Sequence, residues 1–225
     1  MNRPALLAAL AGLMLVAAPA HADRPGGYYL SVKALGAVSP IGSPYLTNRS
    51  ASVTYVPDDT DPETVAGPEV AFGYRMKNWP VRLEAEWIYR YRFDLNVHSD
   101  EATSRVWKSN VGTQSLYWNA YYDHDFNSKW TVYGGAGIGV AVQMADTTYG
   151  LNGSTATSTA SNTSPYFSWH VDLGGKYHFN DRWALDISNR ITSLGGMDTG
   201  DTALGRVKVD SYYSYDILIG ATYSF

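Results

Sequence analysis

The stretch Tyr212-Tyr213-Ser214-Tyr215-Asp216-Ile217-Leu218-Ile219-Gly220-Ala221-Thr222-Tyr223-Ser224-Phe225 has two unlike faces. Tyr213, Tyr215, Ile217, Ile219, Ala221, Tyr223 and Phe225 are apolar or aromatic. Tyr212, Ser214, Asp216, Gly220, Thr222 and Ser224 form the other face, with Leu218 its one aliphatic residue. A period of two is the pattern of a β-strand whose faces meet different surroundings. At ~3.4 Å per residue the segment is more than 40 Å long. It crosses a bilayer even when tilted.

The pattern recurs upstream. Val81, Leu83, Ala85, Trp87, Tyr89, Tyr91 and Phe93 alternate with Arg82, Glu84, Glu86, Arg90 and Arg92. Phe167, Trp169, Val171, Leu173, Tyr177 and Phe179 alternate with Ser168, His170, Asp172, Lys176 and His178. Similar runs start at Leu116, Trp130 and Trp183, and weaker ones cover Tyr28 to Ala37 and Glu69 to Met76. Short turns are expected at Lys77-Asn78, at 127–129 and at 180–182, and long polar loops at about 38–66, 94–109, 143–165 and 195–208. Short and long connections in alternation join the strands up and down. The expected fold class is all-β, an eight-stranded antiparallel up-and-down transmembrane β-barrel. A soluble sandwich also alternates, but its polar face does not concentrate charge as these strands do.

Residues 1–22 read as a cleaved signal peptide: Arg3, an apolar run from Ala5 to Ala18, then Ala20-His21-Ala22 as a small-x-small cleavage site. Residues 23–225 are then the barrel domain. The formal charge of −4, with no basic block, argues against a nucleic-acid partner. With no cysteine there is no disulfide framework and no thiolate metal site. The 18 tyrosines and 7 tryptophans are strand and interface residues. Many fall near expected strand ends, as two girdles would require. Tyr28, Tyr74, Trp79, Tyr122, Phe126, Trp130, Tyr177, Phe179, Trp183, Tyr223 and Phe225 lie at one end, and Tyr89, Tyr91, Phe93, Phe167, Trp169, Tyr213 and Tyr215 at the other.

Gly220, Tyr223 and Phe225 resemble the C-terminal insertion signal of outer-membrane proteins, an aromatic final strand offered to the assembly machinery. With the leader and the alternating strands, the chain resembles the small OmpA-like or OmpX-like eight-stranded barrel superfamily. The resemblance covers about residues 27–225 and implies residence in the cell outer membrane of a Gram-negative bacterium, among lipid and lipopolysaccharide. No peptidoglycan-binding domain is expected after the barrel, unlike in full-length OmpA, so the resemblance does not imply a tethering role to the cell wall.

An eight-stranded barrel is only wide enough for its own side chains. The polar faces would send inward a network of Lys33, Arg82, Glu84, Glu86, Arg90, Asp172, Lys176, Asp186, Arg190 and Asp216. Glu69, Arg75, Arg92, Asp123, Asp125, His170, His178 and Asp210 are expected inward with them. Mutual pairing is favoured, because an unpaired ion in a narrow lumen costs several kcal/mol. Turn length sets two registers. Tyr117 should face Gly139 and Tyr121 face Gly135; Lys176 should face Asp186 and Asp172 face Arg190.

The expected role is structural or surface-interacting, with the lumen plugged by charge and without a catalytic, cofactor or metal site. A small porin-like pore is the alternative, and a lipid A-modifying enzyme the second. For the latter, Asp186-Ile187-Ser188-Asn189 has aspartate where such enzymes carry a base histidine, and Ser188 is expected to point inward. The acidic run Asp58, Asp59, Asp61 and Glu63 reads as a solvated loop face, and Asn152-Gly153-Ser154 as a sequon of little meaning in a bacterium. Any extracellular ligand would be met by the long loops.

Overall fold

A computed structural model of the protein describes residues 26–40, 44–47, 52–54, 56–57, 63–98, 105–151, 158–202 and 205–225. The leader at 1–22, Asp58, Asp59, Asp61 and the sequon at 152–154 lie outside the described residues. Eight long strands are described: β1 Gly27–Ser39, β2 Glu63–Arg75, β3 Val81–His98, β4 Arg105–Asp125, β5 Trp130–Leu151, β6 Ser158–His178, β7 Trp183–Ser193 and β8 Tyr213–Ser224. Each pairs antiparallel with its sequence neighbours, and β1 pairs with β8 to close the ring. Closure leaves no free sheet edge within the membrane, which lipid could not hydrogen-bond.

The final strand turns its two faces as the alternation requires. Ile217 is 59% exposed toward lipid, and Asp216 and Leu218 are buried inside. The closure seam runs from Tyr29 opposite Ser224 to Val38 opposite Tyr215. Gly220 stands opposite Lys33, and a Cβ there would lie 2.1 Å from the Val32 carbonyl oxygen. Glycine permits that close approach. The start of β1, the end of β8 and the short turns share one end, where Phe225 N–H donates to Tyr28 O and Ser224 N–H to Arg182 O. In outer-membrane barrels this is the periplasmic end.

Both expected registers occur. Tyr117 lies opposite Gly139 and Tyr121 opposite Gly135, both rings inside. A Cβ on Gly135 would come within 2.3 Å of the Tyr121 ring. Large inward rings thus occupy the room left by glycine on the next strand. In the β6–β7 hairpin, Lys176 faces Asp186 and Asp172 faces Arg190.

The strands are of unequal length, and here the loop expectations are corrected. β3 to β6 have 18, 21, 22 and 21 residues, whereas β7 and β8 have 11 and 12. The ladder therefore continues through most of the expected loops 94–109 and 143–165. The reason is an inversion of polarity. In the membrane the outer face is apolar and the inner face charged. Above it, Lys108, Asn110, Asp146 and Thr148 face out, while Phe93, Leu95, Trp107, Val111, Ala145 and Tyr149 face in. Period two persists with its sign reversed, as in a sheet with one wet face.

Loop 195–208 is corrected as well. It does not stand outside as a polar loop. Leu194, Met197, Val207, Val209 and Tyr212 are buried against Phe93, Leu95, Trp107 and Tyr149 inside the raised wall. Gly195 has a φ of 79°, open to glycine at little cost, and its α-carbon lies where a Cβ would meet the Tyr166 Cβ at 2.5 Å. The strands Met197–Asp198 and Arg206–Val209 pair with each other, and Tyr45–Thr47 and Ser52–Thr54 extend them into a four-stranded cap.

Candidate functional site

The lumen has two storeys. The lower one, at membrane level, is ionic. Lys33 Nζ is 3.0 Å from Glu69 Oε1 and 3.8 Å from Asp186 Oδ2. Lys176 Nζ is 3.3 Å from the same Asp186 oxygen, and the Tyr133 hydroxyl donates to Asp186 Oδ1 at 2.6 Å. Arg82 donates to Asp123 at 2.9 Å and to Glu84 at 3.2 Å. Its guanidinium lies 4.0 Å from the Tyr121 ring centroid and 4.3 Å from that of Tyr133, within cation–π range. Nearer the periplasm, Arg75 donates to Asp125 at 2.6 Å.

Arg190 is the hub. Its Nε and Nη2 donate to Asp172 at 2.6 and 3.0 Å, and its Nη1 and Nη2 to Glu86 at 2.5 and 2.7 Å. A guanidinium presents a planar fork that serves two carboxylates in this way, which a lysine does not. Tyr121 donates its hydroxyl to Asp172, and Asn119 Nδ2 donates to both Glu84 and Glu86. Since that amide nitrogen is used, Asn119 Oδ1 faces His170 Nε2, at 3.0 Å. Arg90 and Asp216 form a separate pair at 2.7 Å, with Thr192 donating to Asp216. That pair marks the boundary with the apolar upper storey.

Every side chain of the expected network is therefore buried in the lumen, in three ionic groups and one higher pair. Two neighbours expected with them are not inside. Arg92 is exposed, because β3 bulges between Arg90 and Phe93 and the extra residue reverses the parity of the rest of the strand. It pairs outside with Asp146. Asp210 lies in the exposed bend after Arg206–Val209 and accepts from the Tyr45 hydroxyl. The neutral members, Tyr29, Asn119 and Tyr133, carry no charge to single them out; strand parity alone points them inward. The apolar plug had no signal of its own, since its few aliphatic residues follow no period.

Glu69, Glu84 and Glu86 each have a carboxylate oxygen within 4.8 Å of the others. Lys33, Arg82 and Arg190 meet these three charges. Ser188 points inward and is buried, and Asp186, two residues before it, is engaged by Lys33, Lys176 and Tyr133.

Residues 8–225 match the family model of the outer membrane protein beta-barrel domain. The chain belongs to this family. It is thus an outer-membrane barrel of Gram-negative type. Outer membrane protein PagN of Salmonella typhimurium is 27% identical over 239 aligned positions, covering 94% of this chain and 95% of PagN. Two solved structures share the fold. OprG of Pseudomonas aeruginosa is 13% identical with a TM-score of 0.57, covering 90% of this chain and 98% of its own. Neisserial surface protein A is 16% identical with a TM-score of 0.53, covering 88% and 97%.

The hub yields a prediction that differs from that of an isolated pair. Arg190→Ala strands two buried carboxylates and should cost about 3–5 kcal/mol of refolding stability. Asp172→Ala should cost less, since Glu86 still holds the guanidinium. Adding Asp172→Ala to Arg190→Ala should then be neutral or stabilising, because it removes a charge already without its partner. Urea refolding of the four proteins measures this, and strictly additive losses would exclude the pairing.

Proposed function

We propose that this protein is a closed, non-catalytic surface barrel whose extracellular cap and raised wall meet other molecules, while its lumen serves stability. The observation that carries this reading is the burial of side chains across the lumen at two levels. Ion pairs occupy the membrane level, and Leu194, Met197, Val207 and Val209 occupy the level above. A water-filled path would have to break both. An inward Ser188 without a base beside it on the strand argues against acyl chemistry on lipid A. The cap holds its own charges together, with Arg206 donating to Asp198 and Asp201. In planar bilayers the pure refolded protein should give no stable unit current. Reproducible current steps would replace this reading with a small pore.

The biogenesis reading belongs to the same proposal. Residues 1–22 act as the cleaved leader, 23–225 are the mature barrel domain, and Gly220, Tyr223 and Phe225 form the insertion signal. Support comes from the seam: Phe225 is 73% exposed, its ring packs edge-on at 5.3 Å from Tyr223, and β8 is the strand that pairs with β1 to close the ring. Deleting Phe225 should reduce outer-membrane assembly several-fold while export to the periplasm continues. Unchanged assembly at ordinary expression levels would count against the signal.

A further inference from the structure

Two of the three periplasmic turns are built on one plan. Phe126-Asn127-Ser128-Lys129-Trp130 and Phe179-Asn180-Asp181-Arg182-Trp183 share phenylalanine, asparagine, one variable residue, a cation and tryptophan. In each, the phenylalanine N–H donates to the tryptophan carbonyl, at 3.0 and 2.9 Å. In each, the asparagine Oδ1 accepts from the backbone N–H of both the cation and the tryptophan. The distances are 2.8 and 3.0 Å in the first turn and 2.9 Å for both bonds in the second. The third turn, Met76 to Pro80, places Lys77 two residues before Trp79. All three tryptophans are exposed, at 68% for Trp79, 51% for Trp130 and 49% for Trp183, and so are the three cations.

These cations differ from those of the other end. There, Arg92 pairs with Asp146, Arg206 with Asp198 and Asp201, and Lys208 with Asp198; Lys108 is the exception. Lys77, Lys129 and Arg182 have no acidic partner among the described residues, and Arg182 reaches only the Tyr223 hydroxyl, at 3.4 Å. An exposed tryptophan at a barrel rim sets its indole at the boundary of headgroup and acyl chain. A basic side chain one or two residues away then stands at the height of the lipid phosphates.

We propose that the three turns are docking sites for the headgroup phosphate of phospholipids in the periplasmic leaflet, with a preference for anionic lipid. The cation meets the phosphate, and the tryptophan fixes the depth. Asp181 beside Arg182 makes that turn the weakest of the three. The proposal rests on the barrel being in the membrane and not on its lumen being closed, so a conductance measurement leaves it untouched.

The test uses the full mature chain, reconstituted in phosphatidylcholine vesicles with and without phosphatidylglycerol. Spin-labelled lipids then report the motionally restricted shell. The protein should select phosphatidylglycerol over phosphatidylcholine by roughly fivefold at a turn cation, less so at high salt. Lys77→Gln, Lys129→Gln and Arg182→Gln together should abolish the preference. The charge-keeping set Lys77→Arg, Lys129→Arg and Arg182→Lys should retain it. Heat-modifiable mobility confirms that each protein is folded. Absence of any preference in the unaltered protein, its survival in the glutamine set, or its loss in the charge-keeping set would each overturn the proposal.

Discussion

The structure depends on the narrowness of an eight-stranded ring. Such a barrel is filled largely by its own side chains, so an inward charge must find its partner among them. Some buried polar atoms, such as Ser115 Oγ and Ser188 Oγ, have no hydrogen-bond partner among the described residues. The outward face has already been given to lipid, and strand alternation sends every second residue inside. Charges there are tolerable only in pairs. Arg190 between Asp172 and Glu86, and Asp186 between Lys33 and Lys176, show how the requirement is met: each central group serves two opposite charges on different strands. The pairs tie β1, β2, β3, β6 and β7 together across the lumen, beyond what neighbouring ladders do.

That constraint explains why the membrane part of the fold was legible in the sequence. Lipid and a polar lumen impose opposite demands on successive residues, and the pattern is visible wherever both act. The same demand made the charged residues of the lumen readable, and turn length gave their partners. Legibility fails where the surroundings change. Above the membrane the outside becomes water and the inside becomes apolar. The Thr- and Ser-rich runs of β5 and β6 therefore looked like loops, although they carry on the same ladder. At Arg92 a single bulge reverses parity, and no local composition announces it.

The plug shows a different limit. Leu194, Met197, Val207 and Val209 are ordinary residues in an irregular stretch; what makes them core is the raised wall formed by distant strands. Polar contacts that hold the segment to that wall include Asn162 Nδ2 to the Asp198 carbonyl, Trp107 Nε1 to Thr202 Oγ1 and Gln143 Nε2 to the Leu194 carbonyl. The burial of the segment is mainly hydrophobic, and its charged residues Asp198, Arg206 and Lys208 pair within the segment itself. The two storeys thus differ in kind: the lower one neutralises what the alternation sends inside, and the upper one packs aliphatic and aromatic side chains against the raised wall.

The central claim is that Arg190 is shared between two buried carboxylates and withheld from water. Solid-state NMR on the protein in lipid, with guanidinium nitrogens and carboxylate carbons labelled, measures this directly. Dipolar couplings from the Arg190 side chain to both the Asp172 and the Glu86 carboxyl carbons, with no rapid exchange of the guanidinium protons with water, are the predicted result. A guanidinium coupled to neither carboxylate and exchanging freely with water would contradict the account.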